Sequence, residues 1–178
     1  MLDRDGVLNE DRSDYVKSPA ELVMLPGAAS SVARLNHARI LVALCTNQSV
    51  VGRGMISEAA LDKIHERLRE RLAVAGARLD ALFCCTDPPG RPSTHRKPAP
   101  GMLQDALRRF AVAPGDAVMI GDALRDLEAA ATLGVGRILV RTGHGARTQA
   151  DGVPARILPV AVHENLPAAV AALLGDPP

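Results

Sequence analysis

The 178-residue chain is 47% hydrophobic and 23% charged, with a formal charge of +1, which suits a soluble globular fold large enough to bury a core. So even a charge balance argues against a dedicated nucleic-acid or anionic-membrane surface. No apolar stretch reaches membrane-spanning length and the first residues lack a secretion-signal pattern, so the cytoplasm is the expected compartment.

Asp3-Arg4-Asp5-Gly6 comes first. Carboxylates two positions apart in extended chain project to one side, and the glycine permits a sharp turn just after them. Asp3 suits nucleophilic attack on phosphorus. Asp5 suits proton donation to a leaving alkoxide and later proton removal from water. Such a tetrapeptide alone is more often a polar turn, and the later segments decide for chemistry. Only Met1 and Leu2 precede Asp3, where a buried strand of four or more residues is expected, so a loosely supported nucleophile is predicted.

After Pro26-Gly27, residues 28–38 read as a helix and 40–44 as a buried strand. Thr46 follows, its hydroxyl and amide beside Asn47, Gln48 and Ser49, a group of donors able to hold phosphoryl and substrate oxygens. Ser57 caps a long helix whose Leu61, Ile64, Leu68 and Leu72 form one apolar stripe, with the charged residues in solvent. A strand over 79–84 leads to Arg96-Lys97-Pro98. Lys97 offsets repulsion between an anionic nucleophile and a phosphate, and Arg96 reaches a second anionic or hydroxylated part of the substrate, as does Arg53.

A helix over 102–110 and a strand over 117–120 bring the chain to Gly121-Asp122. Magnesium demands hard oxygen ligands; Asp3 and Asp122 supply carboxylates and Asp5 a backbone carbonyl. Asp126, four residues on, shares a helix face with Asp122 and supports the site from behind. Further on come a helix over 125–133 stopped by Gly134, a strand over 137–140, a loop over 141–153, a short edge strand at 157–158, and a last helix opened by Asn165-Leu166-Pro167 and ended by Gly175. The alternation predicts an α/β fold, a doubly wound parallel sheet in a single domain over 1–178. It leaves no room for a large cap, so selectivity falls to the loops 11–17, 47–54 and 86–96.

The four segments, in this order, resemble the motifs of the haloacid dehalogenase superfamily of phosphatases. More narrowly, Asp3 to Asn9, Tyr15-Val16, Thr46 to Ser49, Arg53-Gly54 and Arg96-Lys97-Pro98 resemble the heptose bisphosphate phosphatases and their histidinol-phosphatase relatives. The resemblance implies Asp3 as nucleophile, Asp5 as acid and base, Thr46 and Lys97 on the transferring phosphoryl group, Arg96 on the substrate, and Mg2+ on Asp3, Asp5 and Asp122. It implies a monomer acting on a small sugar phosphate, a heptose bisphosphate losing its C7 phosphate. Histidinol phosphate, another sugar phosphate and a catalytically silent binding protein stay open as alternatives. Zinc is not expected: Cys85, Asp87 and His95 remain of a relative's zinc loop, and Ser93 is a poor fourth ligand. Ala123 stands where some relatives carry a lysine.

Overall fold

The computed structural model describes residues 1–176. Its strands are all parallel: β1 (Ala43–Asn47) pairs with β2 (Ala81–Cys85), and β3 (Val118–Gly121) pairs with β4 (Gly136–Val140), which pairs with β5 (Ala161–His163). Residues Met1 to Asp3 join the two groups into one sheet. Leu2 donates to the Ala43 carbonyl at 2.8 Å and its own carbonyl accepts from Cys45 at 2.8 Å, while Asp3 donates to Ile120 at 3.0 Å, Ile120 to Met1 at 3.0 Å and Met1 to Val118 at 2.7 Å. The expectation of a loosely supported Asp3 is therefore corrected. Hydrogen bonds on both edges hold residues 1–3, and Leu2 is buried.

The spatial order β2, β1, residues 1–3, β3, β4, β5 reverses direction beside the first segment, the switch point at which doubly wound sheets bind ligands. Side chains alternate across the sheet as the pleat requires. Leu2, Leu44, Ile120, Ile138 and Val140 pack under α1 (Ala28–His37), α3 (Glu58–Val74) and α7 (Leu166–Leu174). Ala43, Cys45 and Met119 face the other way, under α4 (Gly101–Phe110) and α5 (Leu124–Leu133). Helices on both faces of a parallel sheet make the predicted doubly wound architecture. Among the described residues, loops and the short α2 (Ser49–Gly52) stand over the carboxyl ends of the strands, and no helix is long and apolar enough to cross a membrane.

Ser57 caps α3, its side chain accepting from the Ala60 amide at 3.2 Å, and Leu61, Ile64, Leu68 and Leu72 are its buried stripe. Three predicted spans moved. Ile40 and Leu41 are 41% and 47% exposed; Ile40 closes the end of α1 by donating to Leu35, so the strand runs three residues later and contains Thr46. Within the predicted loop 141–153 lies a helix, α6 (Gly145–Asp151). Its first glycine is not a breaker but a point of contact, since a Cβ there would strike the Val140 carbonyl. At the edge, Ile157 is buried in a 3-10 turn beside Leu127 and Leu139, and the edge strand is the more exposed β5. Backbone pairing, not apolarity, selects an edge.

His65 joins the α3 stripe. It is 4% exposed, its Nε2 has no partner, and burial first, then the charges of Arg4 and Arg69, push its pKa down to about 4 from 6.5. A depressed folded value means stability is present above the ordinary histidine range and is lost as pH falls through the folded value. His65→Leu should remove that part of the acid sensitivity, on the order of 2 kcal/mol at about pH 4. Denaturation midpoints of both proteins across the acid range test this; parallel pH profiles would contradict it.

Candidate active site

The sheet's carboxyl ends bring together residues that are far apart in sequence. Asp3 leaves the central segment, Thr46 the end of β1, Asp122 follows β3, and Lys97 arrives on the loop before α4. All four are buried. The Lys97 ammonium lies 3.1 Å from Asp3 Oδ1 and 2.6 Å from Asp126 Oδ1, and donates to the Cys45 carbonyl at 2.7 Å. Burial alone would pull its proton off; Asp126 and Asp3 outweigh burial and raise its pKa. Asp126 thus supports the site from behind, as its spacing from Asp122 predicts, and its other oxygen accepts from the Ala123 amide at 3.0 Å. Asp3 Oδ1 also accepts from the Arg4 amide at 2.7 Å, and among the described residues no protein donor is bonded to Oδ2.

Asn47 and Gln48 were expected on the substrate, and their side chains are spent inside the protein. Asn47 clamps Lys97 by donating to its carbonyl at 2.9 Å and accepting from its amide at 3.1 Å. Gln48 donates to Asp5 Oδ2 at 2.7 Å and Thr46 Oγ1 at 3.0 Å. These bonds give both side chains a positioning role, and both line the cavity. Asp5 also accepts from Asn9 at 2.8 Å and from the buried Arg4 guanidinium at 3.0 Å. Burial would raise the Asp5 carboxyl, but Arg4 and the hydrogen bonds from Asn9 and Gln48 win and hold it below its ordinary value. Without substrate, Asp5 is therefore poised as a base. Ser49 is buried at the start of α2.

Asp3, Asp122 and Asp126 each offer an oxygen within 4.8 Å of the others. Three buried carboxylates against one ammonium leave an excess of negative charge that a divalent cation balances. Among the described residues Asp122 Oδ1 has no hydrogen-bond partner, while Oδ2 accepts from the His144 amide at 2.8 Å. Burial, then Asp3 and Asp126, push the Asp122 carboxyl up to about 8. Two left-handed glycines close on it: a Cβ on Gly6 (φ 78°) or Gly143 (φ 55°) would strike Asp122 Oδ2. Among the described residues no backbone amide donates to the Asp5 carbonyl. The donor set is all oxygen, which fits magnesium.

Around these groups lies a cavity of about 290 Å3 lined by Arg12, Tyr15, Arg53, Arg96, Arg125 and His144, among others. Arg96 donates to the Asp87 carbonyl at 2.8 Å, and Arg53 stands 5.8 Å over the Tyr15 ring. Sequence reasoning did not single out Arg125, whose only signal is its place one turn after Gly121-Asp122, or His144, which pairs with Asp11 at 2.9 Å. Of the groups weighed for zinc, Cys85, Asp87 and Ser93 lie in contact, Asp87 accepting from the Ser93 amide at 2.8 Å, while His95 turns to Asp105 at 2.9 Å.

A family model described as HAD-hydrolase-like matches residues 94–169. The chain is 45% identical over 152 residues to the D-glycero-beta-D-manno-heptose-1,7-bisphosphate 7-phosphatase of Bordetella bronchiseptica, covering 85% of each. It is 37% identical over 174 residues to the Pseudomonas aeruginosa enzyme of the same name, covering 98% of this chain and 96% of that one. Among solved structures, the D,D-heptose 1,7-bisphosphate phosphatase from B. bronchiseptica complexed with magnesium and phosphate superposes with a TM-score of 0.93 at 43% identity, over 98% of this chain and 96% of that one.

The raised Asp122 value sets a pH test. Without metal, a carboxyl whose folded pKa exceeds its ordinary value contributes stability that is full below the carboxylate range and lost as pH rises through the folded value, about 8. The metal-free melting temperature should therefore fall between about pH 4 and about pH 8 and level off above that, with magnesium restoring more of it at the alkaline end. Asp122→Asn should flatten the profile and abolish the magnesium response. An equal magnesium effect in the variant would remove Asp122 from the metal site.

Proposed function

The chain belongs to the D-glycero-D-manno-heptose-1,7-bisphosphate 7-phosphatases, a family of haloacid dehalogenase-like hydrolases, and we propose that it removes the C7 phosphate of a heptose 1,7-bisphosphate through an aspartyl-phosphate. The observation that carries the mechanism is Asp3 held by Lys97 at 3.1 Å, with its second oxygen unbonded, beside the partnerless oxygen of Asp122. Asp3 and Asp122 with the Asp5 carbonyl would hold magnesium, which when bound supplies charge neutralisation for phosphoryl oxygens.

The Thr46 hydroxyl meets the transferring group at Asp3, and the Lys97 ammonium, held by Asp3, Asp126 and the Cys45 carbonyl, acts on it by charge, offsetting repulsion between two anions. Asp3 forms a bond to phosphorus as the sugar alkoxide leaves. Asp5 begins ionised; a phosphate arriving beside it raises its carboxyl, so that on substrate binding it takes up a proton from solvent and gives that proton to the leaving alkoxide. In the second half Asp5 takes a proton from water as that water attacks phosphorus and releases Asp3. Gln48, bridging Asp5 and Thr46, keeps the proton carrier and the phosphoryl holder in register.

A cavity bordered mostly by loops among the described residues admits a primary phosphate on a flexible carbon more easily than one on a ring, which supports cleavage at C7 with the anomeric phosphate kept. Arg96 and Arg53 face the rest of the substrate, and Ser49 remains a substrate contact through its place on the wall. The site draws on residues from Asp3 to His144 of one chain, which supports a single catalytic domain working as a monomer. We place it in the cytoplasm, with zinc playing no part.

Asp3→Asn should lower turnover at least about a thousandfold with the fold intact, because an amide neither attacks phosphorus nor binds magnesium well. Appreciable activity in a folded variant would end the aspartyl-phosphate reading. Arg96→Ala should cut kcat/KM for heptose bisphosphate by roughly tenfold more than for a small aryl phosphate, which offers that arginine nothing to hold. Equal losses would assign Arg96 to phosphoryl transfer, and turnover of histidinol phosphate in place of the heptose would move the substrate.

A further inference from the structure

Arg125 is the second residue of α5, half-buried, on the wall of the cavity that also holds Asp3, Asp5 and Arg96. The other cationic side chains of that wall are engaged. Arg12 pairs with Asp14 at 3.0 Å and His144 with Asp11 at 2.9 Å. Arg96 gives one nitrogen to the Asp87 carbonyl, and Arg53 rests over Tyr15. Among the described residues lining the cavity, Arg125 is the arginine with no hydrogen bond, no ion pair and no aromatic partner. A guanidinium carries five donors, and leaving them unspent away from bulk water is costly unless a ligand takes them.

The surroundings define the ligand. Burial disfavours the Arg125 charge, but Asp126, Asp3, Asp122 and Asp11 outweigh it, so a cation persists close to the reacting groups. Yet it forms no ion pair with any of those carboxylates. Lys97 already serves Asp3 and Asp126, which leaves the Arg125 fork for something entering the cavity. Arg96 is the second clue: burial first, and then repulsion from Arg125 and Arg53 against the pull of Cys85 and Asp87, lowers its pKa. Arg53, Arg96 and Arg125 share one cavity wall, where both others weigh on Arg96, and a polyvalent anion entering the cavity relieves that repulsion, the planar forks matching phosphate oxygens.

We infer that Arg125 is a specificity-determining residue that holds the second phosphate of the substrate jointly with Arg96. The assignment rests on the bisphosphate reading above. It makes the cavity a two-phosphate receptor, with Lys97 and Thr46 taking the phosphate to be transferred and the arginines the one retained.

Arg125→Ala and Arg125→Lys, each checked by melting curve, would be assayed with magnesium on heptose 1,7-bisphosphate and on 4-nitrophenyl phosphate. For Arg125→Ala the loss of kcat/KM on the bisphosphate should exceed that on the aryl ester by at least about tenfold, mainly through KM. Lysine, a point charge without the fork, should recover only part of it. Equal losses on both substrates would place Arg125 on the transferring group and overturn the assignment, and so would no loss on either. Wild-type protein separates this claim from the one beneath it. If it hydrolyses the aryl ester and not the bisphosphate, the substrate reading fails by itself. The arginine is then judged by whether Arg125→Ala weakens competitive inhibition by fructose 1,6-bisphosphate more than by fructose 6-phosphate; equal weakening would overturn it.

Discussion

A single buried ammonium holds this structure's chemistry together. Lys97 is 1% exposed, and such a charge survives only if its partners return what desolvation takes away. Asp3 and Asp126 do so, with the Cys45 carbonyl taking a third donor. The arrangement is reciprocal: without Lys97, two carboxylates would face each other in a buried pocket. Even with it, Asp122 is left over, its carboxyl pushed up to about 8. The site is built to be completed by a cation and an anion, and the protein alone is its least satisfied state.

The scaffold explains how such a cluster is held in place. Asp3 sits at the end of a segment bonded on both edges at the centre of the sheet, so the nucleophile inherits the rigidity of the core. Asn47 grips both backbone groups of Lys97, fixing the root of a side chain that is otherwise flexible. Thr142 donates to the Gly6 carbonyl at 2.6 Å and Thr148 to the Asp122 carbonyl at 2.9 Å. These contacts tie the β4–α6 segment to both acidic loops. The helix α6, which looks like filler in the sequence, thereby buttresses the metal side of the site.

Much of this was legible in the sequence because the reactive residues follow apolar runs, and the run predicts the strand that delivers them. Thr46 and Asp122 are placed for that reason, Lys97 by its own motif on the loop before α4, and Asp126 follows from helical spacing alone. What could not be read was which donors face outward. Asn47 and Gln48 look like ligand contacts because amides after a strand often are, yet their partners lie about fifty residues away in sequence, a separation no local pattern encodes. Arg125 is hidden for the converse reason: in sequence it resembles any solvated helical arginine, and only the cavity wall distinguishes it. The firm hold on Asp3 is not legible in an apolar count, because pairing on both edges of residues 1–3 decides it.

The central claim is that the unbonded oxygen of Asp3 attacks phosphorus. The most direct measurement is to quench turnover in acid within a few turnovers, reduce with borohydride, and map the product by peptide mass. An acyl phosphate at Asp3 is reduced to homoserine at that position while Asp5, Asp122 and Asp126 stay aspartate; that is the result expected here. Rapid turnover with no reduction at Asp3, or reduction at another carboxylate, would contradict the account at its base.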